Sequence, residues 1–295
     1  MAPALPALVR TTVDGVAGTV RAIQSVGGGD VSRAARVETA GGTVFVKWAH
    51  GEAGRTYAAE ADGLAALADA AGPDLVVPAP LAVRASDGDE PGVLVLPWIE
   101  RGPATAIGWR RFGAALAGLH RAEAPGDGYG WAEDNWIGSK PQRNGWGASW
   151  PVFFGERRLR AQAETVRQRG AWDPGWDGLL DRLVARLPDL LPATPPRSLL
   201  HGDLWAGNAL PTSDGRFSII DPAVSVGHRE ADLAITELFG GFSGPFYEGY
   251  REAWPLEPGY PERREVYNLF HLTNHLTHGA GYRQPVERTL RRFGA

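Results

Sequence analysis

The chain of 295 residues contains no cysteine. Disulfide scaffolds, thiolate zinc sites, iron–sulfur clusters and cysteine nucleophiles are thereby excluded. Long apolar runs are missing too, since no stretch reaches the roughly 18 consecutive residues of a membrane span. Nor does either sign of charge dominate. Thirty basic against 34 acidic side chains leave a net charge of −4, which gives no basic footprint for nucleic acid or a membrane surface. The start, MAPALPALVR, has no basic region ahead of its apolar run, and Pro3 and Pro6 interrupt it. It reads as a poor signal peptide, and the expected location is cytoplasmic. The last scarcity is lysine: of 30 basic residues only Lys47 and Lys140 are lysines. Each invites the question of what arginine could not do there.

What remains is ordinary for a globular protein, with 43% hydrophobic and 22% charged residues. Up to about residue 99 the pattern reads mainly as strands. TVRAIQSV (19–26) and VSRAARVET (31–39) flank Gly27-Gly28-Gly29, and TVFVKWA (43–49) follows the turn-forming Gly41-Gly42. RTYAAEADGLAALADAAG has apolar residues at helical spacing and stops at Gly72-Pro73. LAVRAS and VLVLPWI add two strands, giving a five-stranded sheet with one helix inserted after the third. From about residue 100 the segments are amphipathic and helical, interrupted by a Gly- and Trp-rich stretch from Pro125 to Trp150. The reading is α+β: a small β-rich lobe (1–97) joined to a larger, mainly helical lobe (98–295).

The strongest chemical signal is HGDLWAGN (201–208), followed by FSIID ending at Asp221. Asp203 and Asn208 have the D-x4-N spacing of a protein-kinase catalytic loop. A carboxylate there can orient a hydroxyl and accept its proton during attack on a γ-phosphoryl group. An amide oxygen one turn later, with a carboxylate closing the next strand, can hold Mg²⁺ against the phosphates of ATP. Lys47 lies in the third strand, where a kinase-like fold places its α/β-phosphate lysine, a compact point charge unlike the arginine fork. Glu60 on the following helix is its expected ion-pair partner, ahead of Glu52. The run Gly27, Gly28 and Gly29 occupies the place of a phosphate-covering loop, although it does not match G-x-G-x-x-G.

VLVLPWI is expected to carry the hinge for adenine. Pro97 has no N–H, which leaves the Leu96 carbonyl and the Trp98 amide as contacts. Arg229, Glu230 and Asp232 either begin a helix or brace the catalytic loop around His201, with Asp232 the main brace. His271, His275 and His278 have a spacing open to metal binding, but packing or substrate-side hydrogen bonding is the better account. Trp131, Trp136, Trp146 and Trp150 are expected mostly in the core. Trp205, two residues past Asp203, is expected to face the acceptor.

These segments resemble the fructosamine kinase (ketosamine-3-kinase) family, a branch of the aminoglycoside-phosphotransferase-like kinases. The resemblance runs through VFVK (44–47), FGAALAGLHR (112–121), DNWIG (134–138), Gln142 with Asn144, FFGERRL (153–159), SLLHGDLWAGN (198–208), IIDPAVSVGHREADLA (219–234), LFGGF (238–242) and a late NH…GY. It implies a bilobal protein-kinase-like fold and ATP-dependent phosphorylation of the 3-hydroxyl of a small-molecule or protein-bound ketosamine, serving deglycation. By position it makes Asp203 the base, Asn208 and Asp221 the Mg²⁺ ligands, Lys47 the phosphate lysine and Trp205 a substrate-side residue. Bacterial members of the family favour ribulosamines and erythrulosamines, so the same is expected here. The thiol control possible in eukaryotic relatives is ruled out by the lack of cysteine. Departures such as HRE for DRE and NHLTHGAGY bear on the acceptor. An aminoglycoside, choline-like or other sugar kinase stays open as an alternative, as does a nucleotide-binding pseudokinase. The sequence does not give the oligomeric state.

Overall fold

The computed structural model describes residues 5–27 and 32–295. Helix α1 (Ala7–Ala17) comes first, then β1 (Val20–Val26), β2 (Arg33–Thr39), β3 (Gly42–Ala49), α2 (Gly51–Arg55), α3 (Tyr57–Ala70), β4 (Leu75–Val76), β5 (Ala82–Arg84) and β6 (Gly92–Pro97). Five of these strands form an antiparallel sheet in the order β1-β2-β3-β6-β5. Because side chains alternate along a strand, the sheet has two unlike faces. Val44, Val46 and Trp48 point to one, where Leu5 and, from α1, Val9 and Val13 cover them together with Val37, Val93 and Val95. Phe45 and Ala49 point to the other, against Tyr57, Ala61 and Leu64 of α3 and against Leu94 and Leu96. Lys47 shares the parity of Phe45 and Ala49, so the strand period alone turns it toward α3.

Two features of this part depart from the expectation of strands plus one helix. α1 is an extra helix: Pro6 directly precedes it, where a missing N–H costs nothing, and Val9 and Val13 lie one turn apart on its buried side. β4 does not join the five-stranded sheet. It runs parallel to a later strand, β11 (Phe217–Ile219), pairing Leu75 with Phe217.

The helical part contains α4 (Ala106–Arg121), the hairpin β7 (Asn135–Ile137) and β8 (Lys140–Gln142), α5 (Trp150–Phe153) and a π-helical stretch Phe154–Arg160. These are followed by α6 (Ala161–Gln168), α7 (Asp177–Leu190), β9 (Ser198–Leu200), β10 (Ala209–Pro211), β11 (Phe217–Ile219) and β12 (Ser225–Gly227). The chain ends in α8 (Glu230–Leu238), α9 (Gly244–Ala253), α10 (Tyr260–His275) and α11 (Arg283–Gly294). Phe112 of α4 stacks on Phe217 at 4.9 Å and meets Phe246 of α9 at 5.1 Å. α4 and α9 approach so closely that a Cβ on Gly113 would lie 1.9 Å from the Phe246 carbonyl oxygen. Of the four clustered tryptophans, Trp131 and Trp150 are buried, Trp136 is half-buried and Trp146 is exposed. No helix among the described residues is long and apolar enough to cross a membrane.

The short antiparallel pairs β10–β11 and β9–β12 fix the site. β9 delivers His201 to Asn208, β11 delivers Asp221, and Ala223 N–H donates to the His201 carbonyl at 2.8 Å. The two acidic segments therefore lie side by side.

Candidate active site

The loop after β9 is held from behind by one carboxylate. Asp232 accepts from the His201 amide at 2.7 Å and the Gly202 amide at 2.8 Å, and its Oδ2 lies 3.3 Å from His120 Nε2. Asp232 is 1% exposed. Burial raises its pKa, but the hydrogen bond and charge of His120 outweigh that and hold it below the usual carboxylate range. Tyr250 closes the chain at 2.8 Å from His120 Nδ1. His201 accepts from the Asp203 amide through Nδ1 at 3.3 Å, so its Nε2–H donates to the Ile220 carbonyl at 2.9 Å. Burial keeps this imidazole below its ordinary pKa, which fits a neutral ring with both nitrogens engaged. Gly202 has φ 80°, and a Cβ there would fall 2.0 Å from the Ala223 carbonyl oxygen, so only glycine passes this corner.

Asp203, presented by this loop, has its pKa raised to about 7, first by burial and then by the charges of Asp221 and Asp232. A carboxylate with that value is suited to take a proton from a hydroxyl near neutral pH.

The facing wall is made of charge. Lys47 Nζ lies 2.5 Å from Glu60 and 2.9 Å from Asp221. Burial pulls its pKa down, but the two carboxylates outweigh it and keep the amine firmly protonated. Glu60 is pushed up to about 7 by burial despite Lys47, and its Oε1 is buried without a partner. The charge and hydrogen bond of Lys47 outweigh the partial desolvation of the site and hold Asp221 below its usual value. Its side chain is 53% exposed to the cleft, and its backbone sits at φ 52°. Among the described non-glycine residues it alone has positive φ, a conformation that Asp tolerates better than most. Glu52 lies on exposed α2, so Glu60 is the residue the fold brings to Lys47.

Asn208 donates its amide nitrogen to the carbonyls of Asp203 at 2.9 Å and Asp221 at 3.4 Å. That fixes the amide orientation and leaves Oδ1 as an acceptor with no protein donor among the described residues. Trp205 is 43% exposed, and its ring lies over Gly207, whose missing Cβ makes the room.

Three expected placements need correction. The Trp98 amide is not available to a base, because it donates to the Thr43 carbonyl at 3.3 Å. That bond prolongs the β3–β6 ladder, in which Leu96 faces Phe45, so the alternation of an antiparallel pair takes up the Leu96 carbonyl as well. Arg229 does not touch the catalytic loop: it donates to the Trp254 and Pro255 carbonyls at 3.1 and 2.5 Å and lies over the Trp254 ring. Glu230 likewise turns away, paired with Arg263 at 2.6 Å. Of the glycine run, Gly27 is exposed in open space, while Gly28 and Gly29 lie outside the described residues. No group of three or more His, Cys, Asp and Glu side chains suited to a metal occurs among the described residues, which includes His271, His275 and His278.

Sequence reasoning assigned no role to a buried polar chain beneath the site. Gln142 Nε2 donates to the Ala223 carbonyl at 3.0 Å and to Asn135 Oδ1 at 2.9 Å. Asn135 Nδ2 donates to the Val224 carbonyl at 2.7 Å, and Asn144 Nδ2 reaches Asn135 Oδ1 at 3.1 Å. Arg158, in the π-helical stretch, donates to Asn144 Oδ1 at 2.9 Å. The network holds the backbone just past Asp221. Its residues fall in segments that carry the family resemblance, DNWIG, Gln142 with Asn144, and FFGERRL, without a role attached to them there.

The model of the fructosamine kinase family matches residues 6–294. The chain belongs to that family. A probable ketoamine kinase of Synechocystis sp. is 39% identical, over 91% of this chain and 88% of its own length. The chloroplastic protein-ribulosamine 3-kinase of Oryza sativa subsp. indica is 35% identical, over 92% and 78%. A crystal structure assigned as a fructosamine-3-kinase from Haemophilus somnus superposes with TM-score 0.85 at 28% identity, covering 97% of this chain and 96% of that one. The aminoglycoside phosphotransferase APH(4)-Ia superposes at TM-score 0.66 and 16% identity, over 96% and 99%, which establishes a shared kinase-like fold. Fructosamine kinase family membership thus extends over almost the whole chain, with a sheet-rich part and a helical part as in these structures.

Proposed function

We propose that this chain is an ATP-dependent ketosamine 3-kinase, transferring the γ-phosphoryl group to the 3-hydroxyl of a ribulosamine, erythrulosamine or fructosamine. The observation that carries the reading is the geometry of the site: Asn208 ties the backbone of Asp203, on a loop braced by Asp232, to that of Asp221, which pairs with Lys47 beside Glu60. It occurs in a chain that matches a ribulosamine 3-kinase nearly end to end.

In this reading Asp203 orients the acceptor hydroxyl and takes its proton, while Lys47, positioned by Glu60, binds the α- and β-phosphates. Asn208 Oδ1 and the outer oxygen of Asp221 would hold Mg²⁺, which neutralises phosphate charge when bound. Two hard oxygen donors suit an ion that keeps waters and substrate phosphates as its other ligands. The segment that follows β6 would meet the adenine edge. Trp205 offers an indole face to the sugar or the amine it carries. His201 and Asp232 keep the loop in place. Residues 1–97 serve mainly the nucleotide and residues 98–295 the acceptor, and use of ATP fits a cytoplasmic location.

ADP release with Mg-ATP tests the reading across ribulosyl-, erythrulosyl- and fructosyl-lysine, an aminoglycoside and choline. Turnover confined to ketosamines, fastest on the ribulosyl and erythrulosyl forms, is expected. Activity on the aminoglycoside or choline alone would keep the kinase chemistry and discard the acceptor. Silence on all, with Mg-ATP bound, would mean a pseudokinase.

A further inference from the structure

Helix α3 is shared between two cores. In its first half, Tyr57, Ala61 and Leu64 pack under the five-stranded sheet against Leu94 and Leu96. Its second half belongs to the helical part: Leu67, and Leu75 of β4 beyond it, are buried among Phe112, Leu116 and Phe217. Between the halves, Gly63 lies against the segment that follows Asp221. A Cβ there would fall 3.0 Å from Val224 Cγ1 and 3.4 Å from Pro222 Cγ. Glycine weakens a helix interior, and here it makes room for that approach.

The two carboxylates beside Gly63 face different ways. At 3.6 residues per turn, positions two apart on a helix project about 200° from one another. Glu60 meets Lys47 at 2.5 Å. Asp62 accepts from Trp131 Nε1 at 2.6 Å through Oδ2. Trp131 is 7% exposed, and its segment is fixed to the helical part. The Gly130 amide donates to the Val226 carbonyl at 2.8 Å, and the Val226 amide returns a bond to the Gly130 carbonyl at 2.7 Å. The Trp131 carbonyl accepts from the Gly145 amide at 3.0 Å. Val226 lies in β12, the partner of β9, and β9 delivers the catalytic loop. One indole therefore links the frame of that loop to the helix that carries Glu60.

We infer that Asp62 and Trp131 are positioning residues for the nucleotide side of the site. Their hydrogen bond straps α3 to the helical part and holds Glu60 where it meets Lys47, so the ion pair is assembled before nucleotide arrives. Neither residue is assigned a contact with phosphate or acceptor; both act through Glu60. What rearranges for the phosphates is then the Lys47 side chain and not the helix. The inference deepens the proposed function and rests on it for the role of Lys47.

The test measures Mg-ATP affinity by calorimetry for the parent chain, Asp62→Ala, Asp62→Asn and Trp131→Phe. Asp62 is exposed on α3, so its substitution leaves both cores intact. Asp62→Ala and Trp131→Phe should each weaken binding about three- to tenfold, the worth of one net hydrogen bond. The double variant should bind no more weakly than the poorer single, because the two changes remove one shared interaction. Asp62→Asn keeps an acceptor oxygen and should recover most of the loss. Glu60→Gln supplies the readout that a merely structural role would not move. In that background Asp62→Ala should cost less than about twofold, within the error of additivity, since no ion pair is left for the strap to hold. Equal losses in both backgrounds, no recovery with asparagine, or single variants that bind like the parent would each overturn the inference and leave the proposed function standing. A parent chain that binds no Mg-ATP would overturn the proposed function and the role of the strap with it.

Discussion

The two walls of the cleft are built on opposite principles. The wall of the catalytic loop is over-determined by hydrogen bonds: Asp232 holds two consecutive backbone amides and a histidine, and each nitrogen of His201 and His120 has a partner. The wall of Lys47 is held by charge, with Lys47 between two carboxylates, Glu60 Oε1 buried without a partner and Asp221 at positive φ. Preorganised donors and acceptors need no rearrangement when a hydroxyl arrives. A lysine already neutralised by two carboxylates must redistribute its contacts when phosphates arrive. In the proposed reading, the contrast suits a site that keeps its base fixed and lets its nucleotide side respond.

The largest effect should come from breaking the rigid wall. Asp232→Ala leaves two buried amides and His120 without their acceptor, and should cost about 3–5 kcal/mol of stability, read from denaturant unfolding. A loss below 1 kcal/mol would mean the brace is redundant. Next, Lys47→Met should lower kcat/KM for ATP by about 10²–10³-fold, as removing one charge-stabilising donor does. Lys47→Arg should restore little, since a planar fork cannot take the place of a point charge between Glu60 and Asp221. Full recovery with arginine would show that only net charge matters on that wall.

The polar chain beneath the site gives a smaller, diagnostic effect. Gln142→Leu removes the donor to the Ala223 carbonyl and Asn135, costing about 1–3 kcal/mol. Unfolding should report it together with a lowered kcat, and KM for ATP should stay constant. The mildest case is Trp205→Ala. Loss of an exposed stacking face is worth about 0.5–1.5 kcal/mol, so KM for the ketosamine should rise about two- to tenfold and KM for ATP should not move.

Much of this was legible in the residues. Strand parity and helix spacing are local, so Lys47 and Glu60 could be expected on facing surfaces, and the spacing of Asp203, Asn208 and Asp221 is carried by one short loop and the strand after it. What could not be read depends on contacts between segments far apart. β4 is two residues long and finds its partner only at Phe217, so no periodicity announces it. That the Trp98 amide is engaged could not be read, because the length of the β3–β6 ladder is settled by Trp98 meeting Thr43 and not by any signal at Pro97. Arg229 and Asp232 are neighbours in sequence, but the start of α8 sends one toward α9 and the other toward the loop. Pro6, which interrupts the apolar start in sequence, directly precedes α1 in the fold.

The division of labour between the walls is tested most directly by Asp203→Asn, measuring the affinity for Mg-ATP and ketosamine turnover on the same preparation. Nucleotide affinity should stay within about threefold of the parent while turnover falls by about 10²–10⁴-fold, the range for loss of a general base. An affinity that falls in proportion to the rate would contradict the account, because Asp203 would then be serving the nucleotide and not the acceptor.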